Sequence, residues 1–452
     1  MKENSFFEKY RHIHFVGIGG ICMSALAKLC FNNGVFVSGS DATSSHITDE
    51  LEHLGIDIHI GHKKSNIVGA ELVVYTCAVS MRNVELKEAK KQGIQILERA
   101  DFLGLVSNEY KNVVAIAGSH GKTTVASMIG KIFVDCGIDP TILIGGEMAG
   151  GSNLRIGKKD FLIVEACEYR EHFLKLKHNT AVILNIDYDH PDYFKDASTY
   201  ANAFNKFAKL SLDKTIVSEK YKMFLETNLY VTYGKGGTYS ARHIKHHENM
   251  FEFDVYKNGK FFNHIALNLI GTYNIINALC SVAVADCYKL NKEKVKQSLA
   301  EYEGVKRRYE YMGKLLDNVV ITDYAHHPTQ IANCIEATRE VYKKPITVVF
   351  EPHTYSRTKS LFFDFLNSLE KADNVILLPT YSAREKTIAG GRSKDLFDAL
   401  KFKKKNVKYI KTYSACLEHM KKLKNNIILL LGAGSIINLA EAIKQNYLNT
   451  QN

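Results

Sequence analysis

The run Val113-Val114-Ala115-Ile116-Ala117 leading into Gly118-Ser119-His120-Gly121-Lys122-Thr123-Thr124 constrains this chain more than any other feature. A β-branched strand that ends in glycines and a Lys-Thr pair is a phosphate-binding turn. Backbone N–H groups of the loop and of the following helix N-terminus face the anion, the lysine adds charge, and the threonine hydroxyl can bind Mg2+. ATP is the expected ligand, on an α/β sheet. The common form of this loop has a glycine six positions before its lysine. Here that position is Ile116, and Gly118 and His120 lie close to Lys122 instead. This argues against an ordinary P-loop kinase or GTPase.

At 452 residues the chain exceeds what one core organises, so three domains are expected. An apolar content of 46% with only 6 prolines describes a folded protein. Met1 to Tyr10 lacks the apolar core of a signal peptide, and no uninterrupted apolar run reaches about 18 residues, so a cytoplasmic protein without membrane insertion is expected. None of the nine cysteines forms a Cys-x-x-Cys pair, which argues against structural zinc and disulfides. The net charge of +11 is scattered, apart from lysine clusters at 401–411 and 421–424. It reads as solvated surface that also draws in anionic substrates, with no nucleic acid partner.

Short apolar strands alternate with amphipathic helices over the first hundred residues, the pattern of a doubly wound parallel sheet. Strands are predicted at Ile13 to Val16, Val35 to Ser38 and Leu72 to Thr76, with helices at Ile21 to Phe31 and Ile47 to Leu54. The first turn, Gly17-Ile18-Gly19-Gly20-Ile21-Cys22, fits pyrophosphate, and Asp41 ends the second strand where such folds place a ribose-binding acid. Cys22 stands where a dinucleotide fingerprint has its third glycine, which weakens an NAD reading. The expected architecture is three tandem α/β domains: a Rossmann-like domain at 1–108, a central P-loop ATPase-type sheet at 109–308 and a Rossmann-like domain at 309–452. Asn258-Gly259 between alternating runs predicts a hairpin inside the central part.

Two acidic clusters follow predicted strands, Glu165-Ala166-Cys167-Glu168 and Asn185-Ile186-Asp187-Tyr188-Asp189-His190. Carboxyl ends of parallel strands converge on a ligand crevice, so both are expected near the phosphates. Thr123 and Glu165 suit Mg2+, and His190 a second ion. Helix capping is the structural alternative for any one of these acids.

The segments HFVGIGGICMSALA, GSD, AIAGSHGKTT, EACEYREHF, NIDYDHPDYF, GTYNIINA, EGVKRRYE, DYAHHPT, FEPHTYSRT, SARE and GAGSI, in this order and over nearly the full length, resemble the Mur ligase family. DYAHHP and PHTYSRT point to its alanine-adding branch and that branch's close relatives rather than to the later ligases of the family. The resemblance implies an ATP-dependent ligase that joins L-alanine to the carboxylate of UDP-N-acetylmuramate through an acyl phosphate, for peptidoglycan synthesis, with Mg2+ as cofactor. It further implies that Gly118, Ser119, His120, Gly121, Lys122, Thr123 and Thr124 hold the ATP phosphates, that Asn274 and Asn277 meet the adenine, and that Arg308 reaches the γ-phosphate and Asp323 the ribose. By the same resemblance Lys122, Glu165, His190 and Arg308 are catalytic, with Thr123, Glu165 and His190 on the metal. Gly17, Gly19, Gly20, Asp41 and His190 would hold the UDP-sugar, while His326, His353 and Arg357 would handle the substrate carboxylate and alanine. The partners implied are these small molecules, on a monomer or homodimer. Three positions depart from the family pattern: Cys167 replaces the aspartate of EADE, Tyr273 a histidine, and Ser435 the aspartate of GAGD.

Three other readings compete. A sister ligase that attaches a preformed peptide to the same UDP-sugar would share nearly all these motifs. An NAD-binding oxidoreductase would leave Gly121-Lys122-Thr123 unexplained. A binding module without turnover is disfavoured by the intact Lys122 and the acidic clusters.

Overall fold

Strand Asn112–Ala117, which delivers the chain to the phosphate loop, has parallel partners on both sides, Thr180–Ile183 and Lys158–Glu165. Val113 through Ala117 are all fully buried, and a strand covered on both faces reads as a continuous apolar run rather than an alternating one. The structure, a computed structural model, describes residues 5–448 except 149, 228, 229, 248 and 249. Two units divide the chain. The first comprises Met1–Ile186, Asn202–Thr232 and Ala283–Val295, and the second Asp187–Ala201, Tyr233–Val282 and Lys296–Asn452.

The first unit holds two sheets. One is fully parallel, in the order Asp57–Ile60, Phe36–Asp41, His12–Val16, Leu72–Tyr75, Gln95–Glu98. Its strand order reverses direction beside His12–Val16, so the crevice of this sheet lies where that strand runs into the Gly17–Gly20 turn. The other sheet runs Lys214–Ser218, Thr180–Ile183, Asn112–Ala117, Lys158–Glu165, Pro140–Leu143, Leu154–Arg155, with only the last pair antiparallel. Beneath it Phe133, Phe161 and Tyr288 pack edge to face at 5.3 to 5.5 Å, and the Tyr288 hydroxyl bonds Thr180 at 2.8 Å. Phe133, fully buried, contributes on the order of 1.5–3 kcal/mol.

In the second unit Asn258 and Gly259, both at positive φ (49° and 77°), turn strand Met250–Lys257 into Lys260–Leu267. This is the predicted hairpin, and Tyr239–His247 adds a third antiparallel strand to it. The C-terminal sheet runs Glu310–Leu315, Asn318–Asp323, Ile427–Leu431, Ile346–Phe350, Asn374–Leu377, Val407–Tyr409, parallel apart from its first pair. Alternate residues feed two cores: Val348, Phe350 and Leu429 pack on one face, Val349, Ile428 and Leu430 on the other.

Candidate active site

Within the first unit, the loop after Asn112–Ala117 is shaped by backbone conformations that favour glycine. Gly118 has φ 150° and a Cβ on it would stand 3.0 Å from Leu184 Cβ; Gly121, at φ 85°, caps helix Lys122–Asp135 in the left-handed region. The Asn185 side chain clasps the loop in both directions, its Oδ1 accepting the His120 N–H at 3.0 Å and its Nδ2 donating to the His120 carbonyl at 2.9 Å. Lys122 Nζ donates to the Gly118 carbonyl and pairs at 2.8 Å with Glu168, whose side chain is 3% exposed. Burial disfavours the ammonium, but Glu168 outweighs it and raises the lysine pKa. Ser119, Thr123 and Thr124 are buried alongside. Glu165, at the end of the neighbouring strand, accepts the Gly145 N–H at 2.6 Å.

The glycine turn of the same unit gathers Gly17, Gly19, Gly20 and Asp41. The N–H groups of Gly17 and Ile18 bond the Ser40 carbonyl, the Gly19 N–H donates to Asp41 Oδ2 at 2.9 Å, and Gly20 caps helix Ile21–Asn32. Asp41 therefore shapes the turn itself.

In the second unit, Arg357 lies on the six-residue helix Tyr355–Ser360 and is buried. Its Nε and Nη2 donate to the two oxygens of Asp189 at 2.8 and 3.3 Å, and its Nη1 lies 3.3 Å from both His353 Nδ1 and the His353 carbonyl. Burial opposes an Asp189 charge, yet Arg357 prevails and holds that carboxyl well below the usual range. Glu385 caps the helix, accepting the N–H groups of Tyr355 and Ser356 at 2.6 and 2.9 Å and the Ser356 hydroxyl. His326 stands 6.0 Å from His353, ring to ring. Its Nδ1 is 2.9 Å from the Tyr324 carbonyl, and because a carbonyl only accepts, the proton sits on Nδ1 and Nε2 keeps its lone pair. Burial lowers both histidines, His326 well below its ordinary value and His353 to about 4. His190, at φ 57°, sits next to Asp189, with Nε2 4.0 Å from Asp189 Oδ2.

The nucleoside candidates are also in the second unit. Asn274 is buried and donates to the Ile270 carbonyl, while its Oδ1 accepts from the half-buried Asn277 at 3.0 Å. Asp323 accepts the N–H groups of Tyr309 and Ala325 at 2.8 and 2.7 Å. Arg307 and Arg308 lie 4.8 and 5.0 Å from the Tyr324 ring.

Three family models match in tandem: "Mur ligase family, catalytic domain" over residues 12–111, "Mur ligase middle domain" over 116–285, and "Mur ligase, glutamate ligase domain" over 307–434. The chain belongs to the Mur ligase family. Curated relatives of this Mur ligase include the UDP-N-acetylmuramate--L-alanine ligases of Caldanaerobacter subterraneus (42% identical, covering 96% of this chain and 97% of that protein) and Clostridium beijerinckii (39%, 98% and 99%). The crystal structure of the UDP-N-acetylmuramate-alanine ligase of Thermotoga maritima superposes with a TM-score of 0.82 at 28% identity, covering 97% of this chain and 99% of that one. A murein peptide ligase from Psychrobacter arcticus, at 21% identity and TM-score 0.71 with 97% and 98% covered, shares the fold.

The departures of this Mur ligase have local explanations. Burial pushes the Cys167 thiol up to about 11, so a neutral group stands between Glu165 and Glu168. Tyr273 is packed with its phenol pushed well up, by burial first and then by Asp323. Ser435 donates at 3.1 Å to Glu351 Oε1, which also accepts from Tyr413 at 2.5 Å, while Glu351 Oε2 accepts the Ile436 N–H that opens the last helix. The acid of this turn is thus carried by position 351. Sequence reasoning assigned no individual role to Asn185, Glu168, Asp189, Glu351 or Glu385, although all five lie in motifs it had singled out.

Proposed function

We infer that this chain is an ATP-dependent ligase that joins L-alanine to UDP-N-acetylmuramate in peptidoglycan synthesis, releasing ADP and phosphate. The observation that carries this is the phosphate loop, with Lys122 at the head of its helix between the Gly118 carbonyl and Glu168, in a chain 39–42% identical to curated alanine-adding ligases over nearly its whole length.

A carboxylate is a poor electrophile. One of its oxygens attacks the γ-phosphorus, the bond from that phosphorus to the β–γ bridging oxygen breaks, and ADP leaves. The alanine ammonium loses a proton, the freed amine attacks the acyl carbon, the bond from that carbon to the phosphate oxygen breaks, and inorganic phosphate departs as the new amide nitrogen gives up its second proton to solvent or phosphate. In the first unit, Gly118 to Thr124 hold the phosphates and Lys122 neutralises charge on the transferring group. Gly17, Gly19, Gly20 and Asp41 hold the UDP part. In the second unit, Asn277 is the asparagine available to a base, Asn274 orients it, Asp323 and Arg308 serve ribose and γ-phosphate, and His190 serves the muramyl part and a cation. Arg357, its donors already engaged, positions His353 and Asp189. The Nε2 lone pair of His326 suits it to accept a hydrogen bond from the alanine ammonium.

Hard oxygens from Thr123 and Glu165 fit Mg2+, which keeps most of its shell for water and phosphate. When bound, the ion supplies charge neutralisation at the phosphates. Among the described residues no helix is long and apolar enough to cross a membrane, and we place the reaction in the cytoplasm, on a monomer or homodimer with small-molecule substrates and no nucleic acid.

The test measures phosphate release with UDP-N-acetylmuramate, ATP, Mg2+ and either L-alanine or an L-alanyl peptide. Turnover with alanine is expected, and turnover with the peptide alone would favour the sister activity. With heavy oxygen in the muramyl carboxylate, one label should appear in the phosphate. Unlabelled phosphate, or AMP as product, would overturn the acyl phosphate.

A further inference from the structure

Two inner cations of the first unit sit against acid partners. Lys28 meets Glu50 at 2.6 Å and Lys122 meets Glu168 at 2.8 Å. Arg99, half-buried at the junction of strand Gln95–Glu98 and helix Arg99–Ser107, makes no ion pair among the described residues. Its one hydrogen bond there is from Nη2 to His172 Nδ1, at the outer limit of 3.5 Å. The adjacent Glu98 turns elsewhere, with Oε1 3.2 Å from His172 Nε2.

Besides Glu98, the ionisable groups whose fields reach Arg99 include Cys22, Cys167 and Cys77. They come from three loops: the helix start after the Gly17–Gly20 turn, the EACE segment, and the end of strand Leu72–Tyr75. Arg99 therefore stands among residues that follow strand ends of both sheets of this unit. Burial raises Cys22 and Cys167, so neither of these two thiols carries a compensating charge. His172 is buried and lowered to about 4, by desolvation first and then by Arg99, so it orients the guanidinium without neutralising it. Its segment holds Arg170 and Glu171 at φ 53° and 56°, strained conformations that cluster at functional sites. A guanidinium has five donors in a fork that matches carboxylate or phosphate oxygens.

We propose that Arg99, oriented by His172, binds the anionic part of the UDP-sugar, as an oxyanion receptor additional to the glycine turn. This assignment rests on the ligase reading. UDP-N-acetylmuramate offers the same chemistry twice, in its diphosphate and in its lactyl carboxylate.

Calorimetry with the wild-type chain, Arg99→Met and Arg99→Lys tests it, using UDP-N-acetylmuramate, UDP-N-acetylglucosamine, which lacks the carboxylate, and ATP. Arg99→Met should weaken UDP-N-acetylmuramate about ten- to a hundredfold, the loss typical of a charged hydrogen-bonding partner, with ATP affinity within about twofold; Arg99→Lys should fall between. Weakening confined to the muramate identifies the carboxylate as the anion, and equal weakening of both UDP-sugars identifies the diphosphate. Unchanged affinity for both, or a parallel loss of ATP binding, overturns the assignment. If Arg99→Met does not fold, Arg99→Lys decides by the same comparison. Failure of the wild-type chain to bind UDP-N-acetylmuramate would instead overturn the ligase reading, and the assignment with it.

Discussion

Lys122 Nζ and the Glu168 carboxylate stand 2.8 Å apart, the acid almost wholly buried and the lysine nearly so. The lysine assigned to phosphate in the proposed function is thus also half of an internal ion pair.

Lys122→Ala should reduce turnover by at least about a hundred- to a thousandfold, the scale of losing one transition-state charge contact. It should also destabilise the fold by about 3–5 kcal/mol, because Glu168 is left buried without its counter-charge. Adding Glu168→Gln should restore most of the stability and none of the activity. Urea denaturation and phosphate release check the two halves separately, and retained turnover would remove Lys122 from the phosphate site.

On the proposed function, Glu165→Gln and His190→Ala should each raise the Mg2+ concentration needed for half-maximal activity several-fold, since each removes a side chain proposed to bind a cation. Thermal midpoints should move little. A Mg2+ titration unchanged in both variants would assign these residues to structure, Glu165 through its bond to the Gly145 N–H.

His326 and His353 are neutral when folded and titrate near about 6.5 when unfolded. Below that pH the unfolded chain binds more protons, so stability rises with pH across this window. The contribution is complete above about 6.5 and is lost as pH falls toward the folded value, about 4 for His353. Thermal midpoints at several pH values should drop below pH about 6.5, and His353→Asn should flatten that drop. A variant profile parallel to wild type would show that His353 does not carry it.

Ser435→Asp restores the family residue but sets a second carboxylate against Glu351 Oε1, now 3.1 Å from the serine oxygen. The thermal midpoint should fall by several degrees, for a cost of about 1–3 kcal/mol, and Glu351→Gln should recover it in the double variant. Equal midpoints for Ser435→Asp and wild type would mean that the acid at 351 and the serine at 435 are independent.

The strands found in the sequence were those with apolar runs, such as Asn112–Ala117 and Leu72–Tyr75, because both faces of these are largely covered. Edge strands Asp57–Ile60 and Gln95–Glu98 are half-exposed and carry no such run. Tyr239–His247 is exposed over most of its length, so Arg242, His243 and Lys245 hid it. At the site, glycines and the Lys-Thr pair were legible because the turn dictates those residue types. Partnerships were not: Glu168 pairs with Lys122 across 46 residues and Arg357 with Asp189 across 168. Neither residue type at either spacing distinguishes such a pair from a solvated charge.

The two-way clasp of Asn185 on His120 fixes the curvature of the nucleotide loop through a side chain and a main chain that ATP does not have to recruit. The loop is preorganised: its conformational entropy is lost during folding, and the amides aimed at the phosphates need no rearrangement on encounter. Loosening that clasp should therefore act first on how fast and how tightly nucleotide docks, leaving the later chemical steps to the groups that meet the transferring phosphoryl.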